Sequence, residues 1–210
     1  MDREFVYVPI NELRPRDVYE LLCSTVQPRP IAFVSTLSTA GEPNLAPFSF
    51  FMAGGSRPPS LVFCPVLGKE GRPKDTLRNI EETGEFVVNL VDRPMAEGMN
   101  ATSFEYPPGF NEWEVSGFRQ IESRFVRPNR VAESPVQYEC KLFQVIRHGA
   151  GTSGTVYVIG EIVAAHILSA FWLDGEFNTE SFRPISRLGG PDYLDTESGE
   201  RFRMPRPVKP

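Results

Sequence analysis

Apolar positions keep a helical spacing only briefly in this chain; for most of its length they fall into short blocks with strand-like spacing. Val18, Leu21, Leu22 and Val26 predict a helix near Asp17–Val26, within about residues 15–27. Asp17 is placed to cap it, Glu20 to complete a capping box, and Pro28 and Pro30 to stop it. The period then changes. Ile31–Leu37 and Leu45–Met52 flank a turn at Ala40–Gly41 and read as a hairpin, and Leu61–Val66 reads as a strand covered on both faces. Asp75–Thr83 predicts a short helix, with Asp75 as its cap, Leu77 and Ile80 facing inward and Gly84 as its end. Phe86–Val91 is another strand, and Pro94–Ala101 a turn or two of helix. Residues 103–135 read as irregular. Val136–Ile146 and Thr155–Leu168 are long strands joined by a glycine-rich loop, with a bulge expected at Gly160. The segment from Gly189 onward is polar and reads as disordered or as an extended arm on a partner. About six strands against three short helices, without regular strand–helix alternation, predict a closed antiparallel barrel with helices at its rim.

Composition narrows the chemistry. Twenty prolines in 210 residues, about twice average usage, exclude long uninterrupted helices over most of the chain. With 22 basic and 27 acidic residues the formal charge is −5, which argues against a general nucleic-acid binder but allows a local anion site. No apolar run reaches the roughly 18 residues of a membrane span, and the charged start Met1–Glu4 lacks a signal-peptide core, so a cytoplasmic location is expected. Three dispersed cysteines read as reduced thiols: Cys64 and Cys140 as small core residues, Cys23 as inert. Two histidines make a multi-histidine metal site a poor reading.

Two apparent motifs carry little. Gly149–Gly154 lies between strands with no following helix to receive a phosphate, so it reads as a hairpin loop. No Gly-x-Ser-x-Gly elbow accompanies the histidines. The stretch Gln27–Thr83 is more informative. Ser35, Thr36 and Ser49 sit near strand ends, Asn44 follows a turn, and Lys74 and Thr76 stand at a helix start. Together they suit a ligand with a flat polar ring at one end and a phosphate at the other, the helix N–H groups favouring the anion. Asp75 would compete for those donors. The same residues also fit a plainer account in which Asp75 caps a helix, Lys74 is solvated and the hydroxyls belong to turns. His148 reads as a surface residue. For His166 a hydrogen-bonded structural role and a role at a site both stand.

These residues resemble the flavin reductase family with the FMN-binding split-barrel fold, in its flavoredoxin-like branch. The stretches that carry the resemblance are Arg29–Phe51, Lys74–Leu90, Met99–Ser103, Pro107–Gly109, Ala132–Pro135, Glu139–Cys140, Val158–Glu161 with His166, and Pro184–Gly190 with Tyr193. They occur in the family's order over Leu21–Tyr193. The resemblance implies one domain, a six-stranded antiparallel Greek-key split barrel with short peripheral helices. It implies that Ser35, Thr36, Asn44, Ala46, Phe48 and Ser49 line the flavin ring and ribityl chain, and that Lys74, Asp75 and Thr76 border the phosphate. It places His166 near the flavin as a catalytic residue and Arg187 against cofactor or partner subunit. FMN is the implied cofactor, with FAD as an alternative, and NAD(P)H the reductant. The implied reaction passes a hydride from nicotinamide to flavin N5, and electrons then go to free flavin, a ferric chelate or a monooxygenase partner. A homodimer with flavin near the interface is implied. An electron carrier without nicotinamide activity, or a non-catalytic FMN-binding protein, is the alternative.

Overall fold

The computed structural model describes residues 3–65, 73–149, 154–180 and 182–208. In chain order the described elements are α1 (Pro15–Thr25), β1 (Ala32–Leu37), β2 (Pro43–Phe48), β3 (Phe51–Ser56), β4 (Pro59–Phe63), α2 (Asp75–Thr83) and β5 (Glu85–Asn89). Then come α3 (Ala96–Ala101), α4 (Trp113–Ser116), β6 (Gln120–Ile121), β7 (Arg130–Val131), β8 (Val136–His148) and β9 (Thr155–Ile167). Short strands follow: β10 (Trp172–Leu173), β11 (Glu176–Phe177), β12 (Ile185–Arg187), β13 (Asp192–Asp195) and β14 (Arg201–Arg203).

Seven strands form the main sheet in the order β2-β1-β5-β8-β9-β4-β3, every neighbouring pair antiparallel. β2 and β3 stand at opposite edges of this order, yet only Ser49 and Phe50 separate them in the chain. The two edges therefore meet at one bend and the sheet curls into a barrel with a seam there. The Cys64 N–H donates to the Phe50 carbonyl at 2.8 Å and carries the β3–β4 pairing up to the bend. The expected strand Leu45–Met52 is thus two strands. Counted as one bent strand, β2–β3 brings the barrel to the six strands anticipated. The β4–β5 connection carries α2 and joins strands that are not neighbours, as a Greek key requires.

β1 is buried on both faces and separates two cores. Ala32 and Val34 join Phe63, Phe86, Val88 and Val158 on one side, where Leu77 and Ile80 of α2 also pack. Ile31 and Phe33 join Met95, Met99, Trp113, Ile185, Tyr193 and Met204 on the other. The second core overturns the reading of the chain from Gly189 as a disordered tail or partner arm. β12, β13 and β14 form a three-stranded sheet, and Tyr193 and Met204 are buried.

Local expectations changed in three places. α1 begins at Pro15, whose fixed φ and missing N–H suit a first helical position, so Asp17 is not the cap. Its carboxylate takes two bonds from the Arg14 guanidinium, at 2.7 and 2.8 Å, and Glu20 pairs with Arg16. Leu21, Leu22 and Val26 remain exposed; Cys23 is the residue that α1 buries. Second, α4 lies in the region read as irregular; the Asn111 side chain accepts the Trp113 N–H, and Gly117 ends the helix with φ of 72°. Third, the β8–β9 pair carries two irregularities near Gly160: Leu142 pairs with Gly160 and Gln144 with Ile159, leaving Phe143 extra on β8, and Glu139 pairs with Ala164 and Cys140 with Ile162, leaving Val163 extra on β9. Most of the glycine-rich β8–β9 loop (150–153) lies outside the described residues.

Gly160 is a packing residue. A Cβ there would overlap the buried Phe86 ring. Gly160→Ala is expected to lower stability by about 2 kcal/mol, as overpacking does in dense cores. An unchanged urea midpoint would contradict that reading.

Candidate functional site

A cleft of about 830 Å³ opens beside the seam, between α1, the Pro47–Phe50 bend and the C-terminal sheet. The bend supplies Phe48, Ser49 and Phe50 to its wall because the chain must leave one barrel edge and enter the other at that point. Tyr19 of α1 packs on Phe50 with ring centroids 5.7 Å apart. Five cations line the cleft (Arg16, Arg29, Lys74, Arg187 and Arg206) against the carboxylates of Glu20 and Glu105. A protein of net charge −5 therefore carries a locally cationic cleft.

Arg29 is the brace of this site, 5% exposed. Its guanidinium donates to the carbonyls of Cys23, Val26 and Leu188 at 2.6, 2.9 and 2.9 Å. Its backbone exchanges two hydrogen bonds with Arg187. One side chain thus ties the end of α1 to the strand that carries Arg187. The Arg29 Nε is buried and has no partner among the described residues. The Arg187 guanidinium carbon lies 4.3 Å from the centre of the Tyr193 ring. Burial pushes the Tyr193 hydroxyl pKa up, and Arg187 opposes this.

Lys74 stands at the N-cap of α2, its Nζ 5.9 Å from the centre of the Phe48 ring. Desolvation within the cleft, followed by repulsion from Arg206, lowers its pKa; Glu105 and Glu112 pull the other way. Asp75 is the first residue of the helix and not its cap. Its carboxylate accepts the Gly109 N–H at 2.8 Å and pairs with Arg78 at 3.0 Å, which ties the Pro107–Gly109 turn to α2. The anticipated conflict between Asp75 and an anion at the helix start is eased by these partners.

The cleft gathers Phe48, Ser49, Lys74 and Arg187 from the residues anticipated. Ala46 on β2 and Asp75 are only partly buried but do not line it. Ser35, Thr36, Asn44 and Thr76 do not line it; they are buried in bonds to other protein groups. Asn44 Nδ2 donates to Thr36 Oγ1 at 3.2 Å and to Thr76 Oγ1 at 2.9 Å, and Asn79 Nδ2 donates to Thr36 at 3.1 Å. Ser35 donates to the Asn129 carbonyl at 2.5 Å. Thr36, Asn44, Thr76 and Asn79 join β1, β2 and α2 in a buried polar cluster, and Ser35 ties β1 to the Asn129 loop, which accounts for their small hydroxyl and amide character.

His166 also lies outside the cleft lining. Its Nε2 is 2.5 Å from Oε1 of Glu139, a fully buried carboxylate. Glu139 further accepts the N–H groups of Arg124, Phe125 and Val126. Burial favours the protonated acid, but the Arg124 and Phe125 N–H groups together with His166 prevail and hold its pKa below the usual glutamate range. This arrangement ties β9 and the 124–126 segment to Glu139 of β8. Sequence reasoning missed Arg16, Tyr19, Arg29 and Arg206 as cleft residues. Arg29 opens the Arg29–Phe51 stretch, and Arg206 stands between Pro205 and Pro207; both were visible signals.

A flavin has a flat aromatic ring system, and in the phosphorylated cofactors the side chain carries phosphate. The residues present fit it: an aromatic bend for the ring, cations for the phosphate, and a buried Arg29 Nε without a partner. Similarity to known proteins points the same way. The model of the flavin reductase like domain family matches residues 25–181. An uncharacterized protein of Halalkalibacterium halodurans is 39% identical over 200 residues, covering 94% of this chain and 95% of that one. Nitrilotriacetate monooxygenase component B from Bacillus cereus is similar in structure, with a TM-score of 0.88 and 33% identity, over 97% of this chain and 100% of that one. The 2-nitrobenzoate 2-nitroreductase of Pseudomonas fluorescens follows with a TM-score of 0.82 and 32% identity, over 98% and 99% of the two chains. A closed antiparallel barrel, a cationic aromatic cleft at its seam and a match over most of the chain place this protein in the flavin reductase-like family.

Proposed function

We propose that the protein is an FMN-dependent NAD(P)H:flavin oxidoreductase, with FAD as the alternative flavin. The observation that carries the reading is the cationic cleft walled by Phe48, Ser49 and Phe50 at the barrel seam. Bound flavin would supply hydride acceptance and electron release, so no protein nucleophile or metal is required. The chain's part is binding and orientation. Phe48 and Phe50 offer apolar surface to the ring, Lys74 and Arg187 attract the anionic end, and Arg29 fixes the walls against each other. His166 lies outside the cleft lining and faces Glu139, so this reading gives it no direct part in binding the ring.

The electron acceptor is free flavin, a ferric chelate or a monooxygenase partner; the similarity to nitrilotriacetate monooxygenase component B supports the last. A homodimer is supported by apolar groups that the protomer leaves open: Phe5, Val6 and Tyr7 in the N-terminal segment and Leu21, Leu22 and Val26 on or beside α1. No described helix is long and apolar enough to cross a membrane.

The test is the visible spectrum of the purified protein, followed by anaerobic titration with NADH and NADPH. Bleaching of protein-bound flavin by either nucleotide is the expected result. Bleaching by dithionite alone would favour an electron carrier. Failure to retain FMN, with no NAD(P)H oxidation when flavin is added, would overturn the proposal.

A further inference from the structure

We propose that Arg206, carried by the C-terminal segment, is a specificity-determining residue of the cleft: with Lys74 it forms a two-cation clamp for a ligand ending in a phosphate monoester. The inference rests on the flavin reading and adds the residue that selects phosphorylated from unphosphorylated flavin.

Three observations carry it. First, Arg206 lines the same cleft as Lys74, near enough for its charge to lower the Lys74 pKa. Like charges brought together in a folded protein cost free energy unless an anion joins them. Among the described residues neither side chain has a carboxylate within 4.0 Å. Second, the segment is fixed in place. The Met204 N–H donates to the Pro191 carbonyl at 3.0 Å, Asn100 Nδ2 donates to the Pro205 carbonyl at 3.0 Å, and the Met204 side chain is buried. Third, Arg206 stands between Pro205 and Pro207. Each proline fixes its own φ, and the residue before a proline is confined to extended conformations, so the backbone presents this side chain with little freedom to lose on binding. An arginine fork and a lysine point charge approaching from different segments suit a dianionic, tetrahedral group.

The test compares FMN with riboflavin, which differ by the phosphate alone, through quenching of flavin fluorescence. Arg206→Ala is expected to weaken FMN binding about tenfold and leave riboflavin within about twofold. Arg206→Lys should restore part of the loss, and added inorganic phosphate should compete with FMN less well in the alanine variant than in the unsubstituted protein. Lys74→Ala should show the same FMN-selective loss. Equal weakening of both flavins in Arg206→Ala, or FMN binding indifferent to Arg206, would overturn this proposal and leave the flavin reading standing. Failure of the unsubstituted protein to bind either flavin would overturn both. A thermal melt of Arg206→Ala that matches the unsubstituted protein excludes general unfolding as the cause of a selective loss.

Discussion

Glu139→Ala is expected to destabilise the protein by about 4 kcal/mol, the largest effect of any single change considered for this chain. The carboxylate is 0% exposed and accepts three consecutive N–H groups, from Arg124, Phe125 and Val126, besides facing His166. Its removal leaves those donors without their acceptor and frees the 124–126 segment from β8. Glu139→Gln separates charge from shape: one amide oxygen can still accept, but the amide nitrogen would face donors. An intermediate loss, about 2 kcal/mol, is expected. The pH dependence has a definite sign. Glu139 titrates lower in the folded state than when unfolded, so its contribution is present above the unfolded pKa and is lost as pH falls through the folded one. The gap between the unsubstituted protein and Glu139→Gln should therefore narrow in acid. Denaturant midpoints at pH 7 and at pH 4 measure it; a gap that widens in acid would refute this role for Glu139.

Glu112→Gln should do the opposite and stabilise the protein at alkaline pH. Glu112 is 8% exposed and accepts the Leu45 N–H at 3.1 Å. Desolvation raises its pKa from 4.5 to about 7, with a smaller push from Asp75, while the Leu45 N–H and Lys74 act against the rise. Its folded pKa exceeds the unfolded value, so its stability contribution is full below about pH 4.5 and is lost as pH rises through about 7. A shift of this size corresponds to about 3 kcal/mol at pH 8. Glutamine keeps an acceptor for Leu45 and carries no charge. The variant should match the unsubstituted protein near pH 5 and exceed it by about 2–3 kcal/mol at pH 8. Equal stability of the two proteins at pH 8 would show that the ionised carboxylate is better solvated than its burial implies.

The elements legible in the sequence were those whose period and punctuation agreed. The β1–β2 hairpin pairs Ala32 with Phe48 through Leu37 with Pro43 around the expected turn. α2 ends at Gly84 with φ of 72°, as its glycine indicated. The seam was not legible, because Phe48-Ser-Phe-Phe51 carries no glycine or proline and Ser49 alone is a weak turn signal; closure of the sheet, a long-range event, sets the break. The site was half legible for a related reason. Ser35, Thr36, Asn44 and Thr76 have the composition of a polar ligand pocket, yet that composition serves equally for bonds among themselves or to the backbone. Only the strand register decides between the two. Lys74 was legible as a cation at a helix start, and Arg187 through family resemblance. Arg206 was not, because its place depends on a C-terminal sheet whose strands are three or four residues long.

The Ser49–Phe50 bend makes closing the barrel and shaping the cleft a single event. A ligand resting on Phe48, Ser49 and Phe50 touches the same residues that keep the two sheet edges together. Its binding free energy is then thermodynamically linked to the seam: occupancy resists opening, and opening dismantles the wall on which the ligand rests. Closure of the seam and the grip on a ligand are, in this architecture, the same equilibrium.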